Sequence, residues 1–149
     1  MRAVVQRVRA ARVEVAGAVV GAIDRGLVAF VGAARGDSER DGAYLVDKLV
    51  TLRVFPDEAG KMSLALAEVA GALLVVSQFT LVGDVRRGRR PSFDDALAPE
   101  LAAALLDGVV AGARARGVPV ATGRFGADMR VVVDNDGPVT ILVDSRKLF

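Results

Sequence analysis

Leu73-Leu74-Val75-Val76-Ser77-Gln78-Phe79-Thr80-Leu81 decides the reading of this chain. Four consecutive apolar, β-prone residues predict a buried strand. Ser77, Gln78 and Thr80 then bring hydroxyl and amide groups to the strand end, with Phe79 between them. A buried strand that stops in hydroxyls and an aromatic ring can build a pocket floor on a rigid element. The same residues can also simply cap a turn.

The rest of the chain narrows the choice. At 149 residues, 52% of them hydrophobic, it has the size and composition of one globular domain with a full core. No apolar run approaches the length of a membrane span, and Arg7 is too early for a signal h-region, so a cytoplasmic protein is expected. Cysteine is absent, which excludes disulfides and thiol chemistry. The pI of about 9.5 overstates the basicity of a chain whose formal charge is +2. With no histidine, almost nothing titrates between the carboxylates and the lysines. The lack of histidine also excludes a Ser-His-Asp triad, a Cys-His pair and a histidine metal site. Catalysis must use carboxylates, lysine, hydroxyls, backbone groups or the substrate itself.

Upstream of the central strand, residues 2–8, 12–16, 19–23 and 27–31 read as short strands turned at Gly17 and at Asp24-Arg25-Gly26. Connections this short predict antiparallel pairing. Ser38-Glu39-Arg40-Asp41 resembles a capping box with Asp in place of Glu or Gln. Leu45, Leu49 and Leu52 then predict an amphipathic helix over about residues 38–52. Arg53-Val54-Phe55 reads as a short strand. Downstream, residues 82–95 form a long polar loop, which makes it a functional candidate. A second helix is expected from Pro99, with Leu101, Leu105 and Val109 marking one face and Gly117 at its C-terminal stop. Val131–Val133 and Val139–Val143 read as two last strands, with Asn135-Asp136-Gly137-Pro138 as the turn between them. No internal repeat or linker interrupts the chain, so residues 1–149 are expected to be a single domain.

Three stretches stand together: Ser77-Gln78-Phe79-Thr80-Leu81, Arg89-Arg90-Pro91-Ser92-Phe93 and Asn135-Asp136-Gly137-Pro138-Val139-Thr140. Gln6-Arg7-Val8, Gly60-Lys61-Met62 and Thr122-Gly123-Arg124-Phe125-Gly126-Ala127-Asp128-Met129 accompany them. In order and spacing, over nearly the whole chain, they closely resemble the D-aminoacyl-tRNA deacylase family of the bacterial and eukaryotic type. The C-terminal stretch 144–149 belongs to none of these motifs.

The resemblance implies a mixed α/β fold of mostly antiparallel, barrel-like sheets with two main helices packed outside. It implies a homodimeric hydrolase that cleaves the ester joining a D-amino acid to the 3′ end of tRNA, and glycine mischarged on an alanine tRNA as well. No metal, cofactor or membrane is implied. The substrate's terminal adenosine and aminoacyl group would lie beside Ser77, Gln78, Phe79 and Thr80. Backbone N–H groups of Phe79 and Thr80 would face the ester oxygen, where one preorganised donor is worth about 3–4 kcal/mol. Thr80 could instead be a nucleophile, but a threonine hydroxyl needs a base, and this motif holds no carboxylate or lysine. An aminoacyl ester carries its own ribose 2′-hydroxyl, so substrate-assisted hydrolysis is the favoured expectation.

Gly137-Pro138 alone reads as an ordinary turn. The resemblance implies a Gly–cis-Pro pair that reaches the partner subunit's active site, reads the α-ammonium and excludes L-residues. Phe125, Ala127 and Met129 would form pocket wall, although core packing accounts equally for Met129. Arg86, Arg87, Arg89 and Arg90 would contact acceptor-end phosphates, with Arg7 adding to that surface. Asp84, Asp94 and Asp95 partly neutralise the loop, so solvated surface is the plain alternative. Two other readings stand beside this one: a related deacylase for another mischarged tRNA, expected to carry a changed Gly-X pair, and a non-catalytic RNA-binding module.

Overall fold

The computed structural model describes residues 1–148; Phe149, the end of the C-terminal stretch, lies outside the described residues. Its first strand, β1 (Arg2–Val15), is one continuous element where two strands are expected. Arg9 and Ala10 are exposed and interrupt the alternation of side chains, but not the backbone. Ala3 and Val5 point to one layer of the core, whereas Val8, Ala11 and Val13 point to another. Shifts in the pairing register around Val8 accompany that change of face, as bulges re-aim a strand.

β1 thereby serves two parts of one curled sheet. Arg2–Val8 pairs antiparallel with β3 (Gly26–Gly32), and Ala11–Val15 with β2 (Ala18–Ile23). β3 then pairs parallel with β6 (Ala72–Ser77), and β6 parallel with β7 (Val120–Thr122). β2 packs back towards β7, nearly closing the ring. The approach is so close that a Cβ on Gly21 would sit 2.1 Å from the Thr122 carbonyl oxygen, which only glycine avoids. β8 (Arg130–Asp144) lies outside the ring, antiparallel to β1 along most of its length. Among the described residues its other edge is unpaired. A small hairpin, β4 (Phe55–Pro56) with β5 (Met62–Leu64), stands apart; Arg53 and Val54 precede it, so the expected strand there starts two residues late.

Alternation along the central strands builds two apolar layers. Leu27, Ala29, Val31, Leu73 and Val75 face the helices α1 (Glu39–Thr51) and α2 (Pro99–Ala115), while Val28, Leu74 and Val76 fill the ring interior. Each buried valine or leucine among them contributes about 1.5–3 kcal/mol. α1 forms as expected: Asp41 accepts the Ser38 N–H at 2.9 Å and closes the capping box. α2 starts at Pro99 and stops before Gly117, at φ +80. The expected stripe is met in part: Val109 is buried and Leu105 half-buried. Ala102, Leu106, Val109, Val110 and Ala113 are buried, and Leu101 is 59% exposed. Leucines stand side by side at 105 and 106 in an alanine-rich stretch, so either of two stripes satisfies helical spacing. The small Ala102 and Ala113 decide for the one that packs closest.

The expected turn at Asn135–Pro138 is instead a bulge inside β8. Val8 pairs with Asn135 and Gln6 with Thr140, so the one residue of β1 between them, Arg7, is set against four of β8, Asp136 to Val139. Asn135 Nδ2 ties the bulge down by donating to the carbonyls of Arg7 (2.9 Å) and Val139 (3.1 Å). No helix among the described residues is long and apolar enough to cross a membrane.

Candidate active site

β6 gives out one residue after its apolar run. Ser77 is the last residue of β6 and half-buried. The Gln78 N–H still donates to Val31 O at 2.8 Å, extending the parallel ladder by one bond. The backbone then leaves the sheet and coils into a 3-10 turn, Phe79–Val82, so Thr80 sits on a helical turn and not on the strand. Leu81 N–H donates to Gln78 O at 3.2 Å and Gly83 N–H to Thr80 O at 3.0 Å. Phe79 and Thr80 precede the turn's first hydrogen bond, so the turn's own ladder leaves their N–H groups free. The Gln78 side-chain amide donates to the Thr80 hydroxyl. Phe79 is 58% exposed and meets Phe93 edge-on, with ring centroids 5.0 Å apart.

A cleft of about 440 Å³ opens beside this turn. Ser77, Gln78 and Phe79 line one side, Phe125, Ala127, Asp128 and Met129 the other, and Leu97, Pro99 and Ala102 close it from the start of α2. The second wall is a compact turn: Ala127 N–H donates to Arg124 O at 3.2 Å, and Arg124 N–H to Met129 Sδ at 3.4 Å. Six of the residues expected in the site are therefore brought together, from segments nearly fifty positions apart. Thr80 follows on the same turn, exposed, just outside the lining.

Asp128, Leu97, Pro99 and Ala102 were not singled out by sequence. Asp128 lies inside one of the quoted motifs and was legible there as a carboxylate. Pro99 read only as a helix start, and Leu97 and Ala102 carried no signal.

Gly137 and Pro138 are exposed on the β8 bulge and do not line this cleft. Their peptide bond is cis. Gly137 has φ +118, and a Cβ there would meet Arg7 Nη2 at 3.0 Å and Val139 Cγ2 at 2.8 Å, so the position admits glycine alone.

Arg7 departs from its expected place on a phosphate-binding surface. Its side chain is only 11% exposed, its Nε lies 2.9 Å from Asp136 Oδ2, and its Nη1 donates to Val54 O at 2.6 Å. The Nε contact is close enough for an ion pair but not aligned as a hydrogen bond. β1 turns this side chain under the bulge, where it braces Asp136.

The basic loop is closed at its base, where Asp84 and Ser92 exchange backbone hydrogen bonds of 2.8 and 2.9 Å. Arg86 grips Asp84 with two nitrogens, at 2.9 and 2.7 Å. The side-chain hydrogen bonds from Arg86, with its backbone N–H, hold the Asp84 carboxyl down at about 2. Arg87, Arg89 and Arg90 are exposed and make no ion pair among the described residues.

A nearly closed mixed ring carries, at the end of its central strand, a cleft of hydroxyl, amide and aromatic groups flanked by spare backbone donors. Comparison with known proteins makes this specific. The family model described as D-Tyr-tRNA(Tyr) deacylase matches residues 4–144. A D-aminoacyl-tRNA deacylase of Sorangium cellulosum (strain So ce56) is 65% identical, and one of Anaeromyxobacter dehalogenans (strain 2CP-C) is 60% identical, each over 100% of both chains. Among solved structures, a c-Myc DNA unwinding element binding protein is 39% identical with a TM-score of 0.92, covering 97% of this chain and 98% of that one. A probable eukaryotic D-amino acid tRNA deacylase shares the fold, with a TM-score of 0.83 at 21% identity over 95% and 97% of the two chains. The chain belongs to the D-aminoacyl-tRNA deacylase family, enzymes that hydrolyse the ester of aminoacyl-tRNA.

Proposed function

We propose that the cleft between the Ser77–Thr80 turn and the Phe125–Met129 wall receives the aminoacylated 3′ adenosine of tRNA and hydrolyses its ester, with D-amino acids and glycine as the acyl group. The observation that carries this is the convergence of those two segments on one cleft. The N–H groups of Phe79 and Thr80, free of the turn's own ladder, are the donors for the developing oxyanion. Water attacks the ester carbonyl with the neighbouring ribose 2′-hydroxyl assisting. The bond from the carbonyl carbon to the ribose 3′-oxygen breaks, that oxygen takes up a proton, and free tRNA and the amino acid leave. Thr80 is held by Gln78 and positions the ester.

Chiral selection falls to Gly137 and Pro138 acting across a homodimer. Two observations support this reading. The pair stands exposed and outside its own cleft, and β8 presents an unpaired edge of fifteen residues on which a second copy can seat. An L-side chain would meet this wall, whereas glycine has none to exclude. The Gly137-Pro138 pair also argues against a relative specialised for another mischarged tRNA. Release of free tRNA from D-tyrosyl-tRNA, compared with L-tyrosyl-tRNA, tests the reading. Analytical ultracentrifugation tests the dimer, for which a monomer at micromolar concentration would be contrary.

A further inference from the structure

A second, smaller cleft of about 140 Å³ adjoins the catalytic one and shares Ser77 and Phe125 with it. Val75, Leu106 and Val110 give it apolar walls. Ser77, Thr122 and Asp107 bring two hydroxyls and a carboxylate to its rim. Among the described residues, none of these three side chains is engaged in a hydrogen bond or ion pair. Ser77 and Thr122 are half-buried and Asp107 is exposed at the mouth; an apolar slot with a few convergent polar groups is the pattern of a recognition site. The slot is half-open and sized for one ring, not for a nucleoside. Phe125, 43% exposed, forms the ridge between the two clefts.

We propose that this slot reads the nucleobase preceding the terminal adenosine, an amino-bearing pyrimidine, in the same tRNA end whose ester the main cleft holds. The proposal rests on the reading of the main cleft given above. Asp107 can only accept hydrogen bonds when ionised, and a cytosine presents an exocyclic amine to donate. The Ser77 and Thr122 hydroxyls can donate to its ring nitrogen and carbonyl oxygen. A uracil in the same place would set its carbonyl against the Asp107 carboxylate. Phe125 offers a face on which one base can stack, as aromatic residues do for single-stranded nucleic acid. Arg124, next to that ridge, is exposed and without an ion pair among the described residues, so a cation stands by the joining phosphate.

The test compares two minimal substrates on the full-length protein: 3′-O-D-tyrosyl-adenosine, and the dinucleotide in which a cytidine precedes that adenosine. The expected result is a gain in kcat/KM of at least about tenfold from the added cytidine, in the range of a hydrogen bond to a charged group. Replacing that cytidine by uridine should remove most of the gain. In Asp107→Ala the ratio of the two substrates should fall close to one, and Thr122→Val should lower it part of the way. A ratio unchanged in Asp107→Ala, or equal rates with cytidine and uridine in the wild type, would overturn the proposal. If neither minimal substrate nor whole D-tyrosyl-tRNA is hydrolysed by the wild type, the reading of the main cleft itself fails. Circular dichroism of the variants, matched to wild type, separates loss of the slot from loss of the fold.

Discussion

Arg7 and Asp136 form a half-hidden ion pair, 2.9 Å between Nε and Oδ2, that fastens the bulge of β8 to the middle of β1. Asp136 also receives Arg9 Nε at 3.2 Å, but Arg9 is largely exposed and supplies the weaker contact. The pair sits directly beneath Gly137, which places the brace one residue from the feature assigned to chiral selection.

Arg7→Ala should therefore lower stability by about 1–3 kcal/mol in urea denaturation, through the stranded Asp136 carboxylate and the lost bond to Val54 O. It should also narrow the difference in deacylation rate between D- and L-tyrosyl-tRNA. The salt dependence of tRNA binding should stay as in wild type. A slope reduced by one unit would return Arg7 to the phosphate-binding surface that the sequence alone suggests.

Within the basic loop the arginines are not equivalent. Arg87, Arg89 and Arg90 carry unneutralised charge, so replacing any one that touches a phosphate by alanine should reduce the slope of log K against log salt by about one unit. Arg86→Ala should change the slope less, since Arg86 is already committed to Asp84. Filter binding across a salt series measures both. Identical slopes for all four variants and wild type would reduce the loop to solvated surface.

Thr80→Ala separates positioning from covalent chemistry. If Thr80 orients the ester, turnover of D-tyrosyl-tRNA should survive within about tenfold; loss of a nucleophile would cost roughly 10⁶-fold, as it does when a serine hydrolase loses its serine. Among the described residues, Asp128 is the one carboxylate lining the cleft. If the 2′-hydroxyl of the substrate performs the assistance, as proposed, Asp128→Asn should likewise remain within about tenfold. A loss of several orders in Asp128→Asn would make this carboxylate the general base.

Acid sensitivity should trace to Asp41. Burial pushes its carboxyl up, but hydrogen bonds from the Ser145 hydroxyl and from Ser38, with the Met1 ammonium nearby, outweigh that and bring it down from 3.8 to about 2. A depressed folded value contributes stability above the unfolded value, and that stability is lost as pH falls through the folded one. Unfolding free energy should drop between about pH 4 and pH 2, and Asp41→Asn should flatten that slope. An equal slope in the variant would assign the acid transition to other carboxylates.

The parts of the fold that sequence revealed are those set by local chemistry. The apolar run to Val76, the capping box at Ser38 and the stop at Gly117 each depend on a few adjacent residues, and each stands where expected. The misjudged elements depend on partners distant in sequence. β1 is continuous because β8 supports it along its length. Asn135–Pro138 is a bulge because Gln6 and Val8 hold the register on either side. The inner face of α2 follows from how closely Ala102 and Ala113 can approach the sheet. The site divides in the same way: residue types alone left the strand-end motif open between a pocket floor and a capped turn, and the order and spacing of the other motifs tipped it, whereas the burial of Arg7 and the slot at Asp107 arise only from packing.

The central claim is that this cleft hydrolyses D-aminoacyl and glycyl esters of tRNA and spares L-aminoacyl esters. Deacylation of D-tyrosyl-tRNA, L-tyrosyl-tRNA and glycyl-tRNA of the alanine type, followed side by side at equal enzyme, measures it most directly. The account predicts catalytic turnover of the D-tyrosyl and glycyl esters, with L-tyrosyl-tRNA decaying at its uncatalysed rate. Equal rates for the two tyrosyl enantiomers would contradict the assignment of chiral selection. Tight tRNA binding with no turnover of any of the three would contradict the enzymatic account and leave an RNA-binding protein.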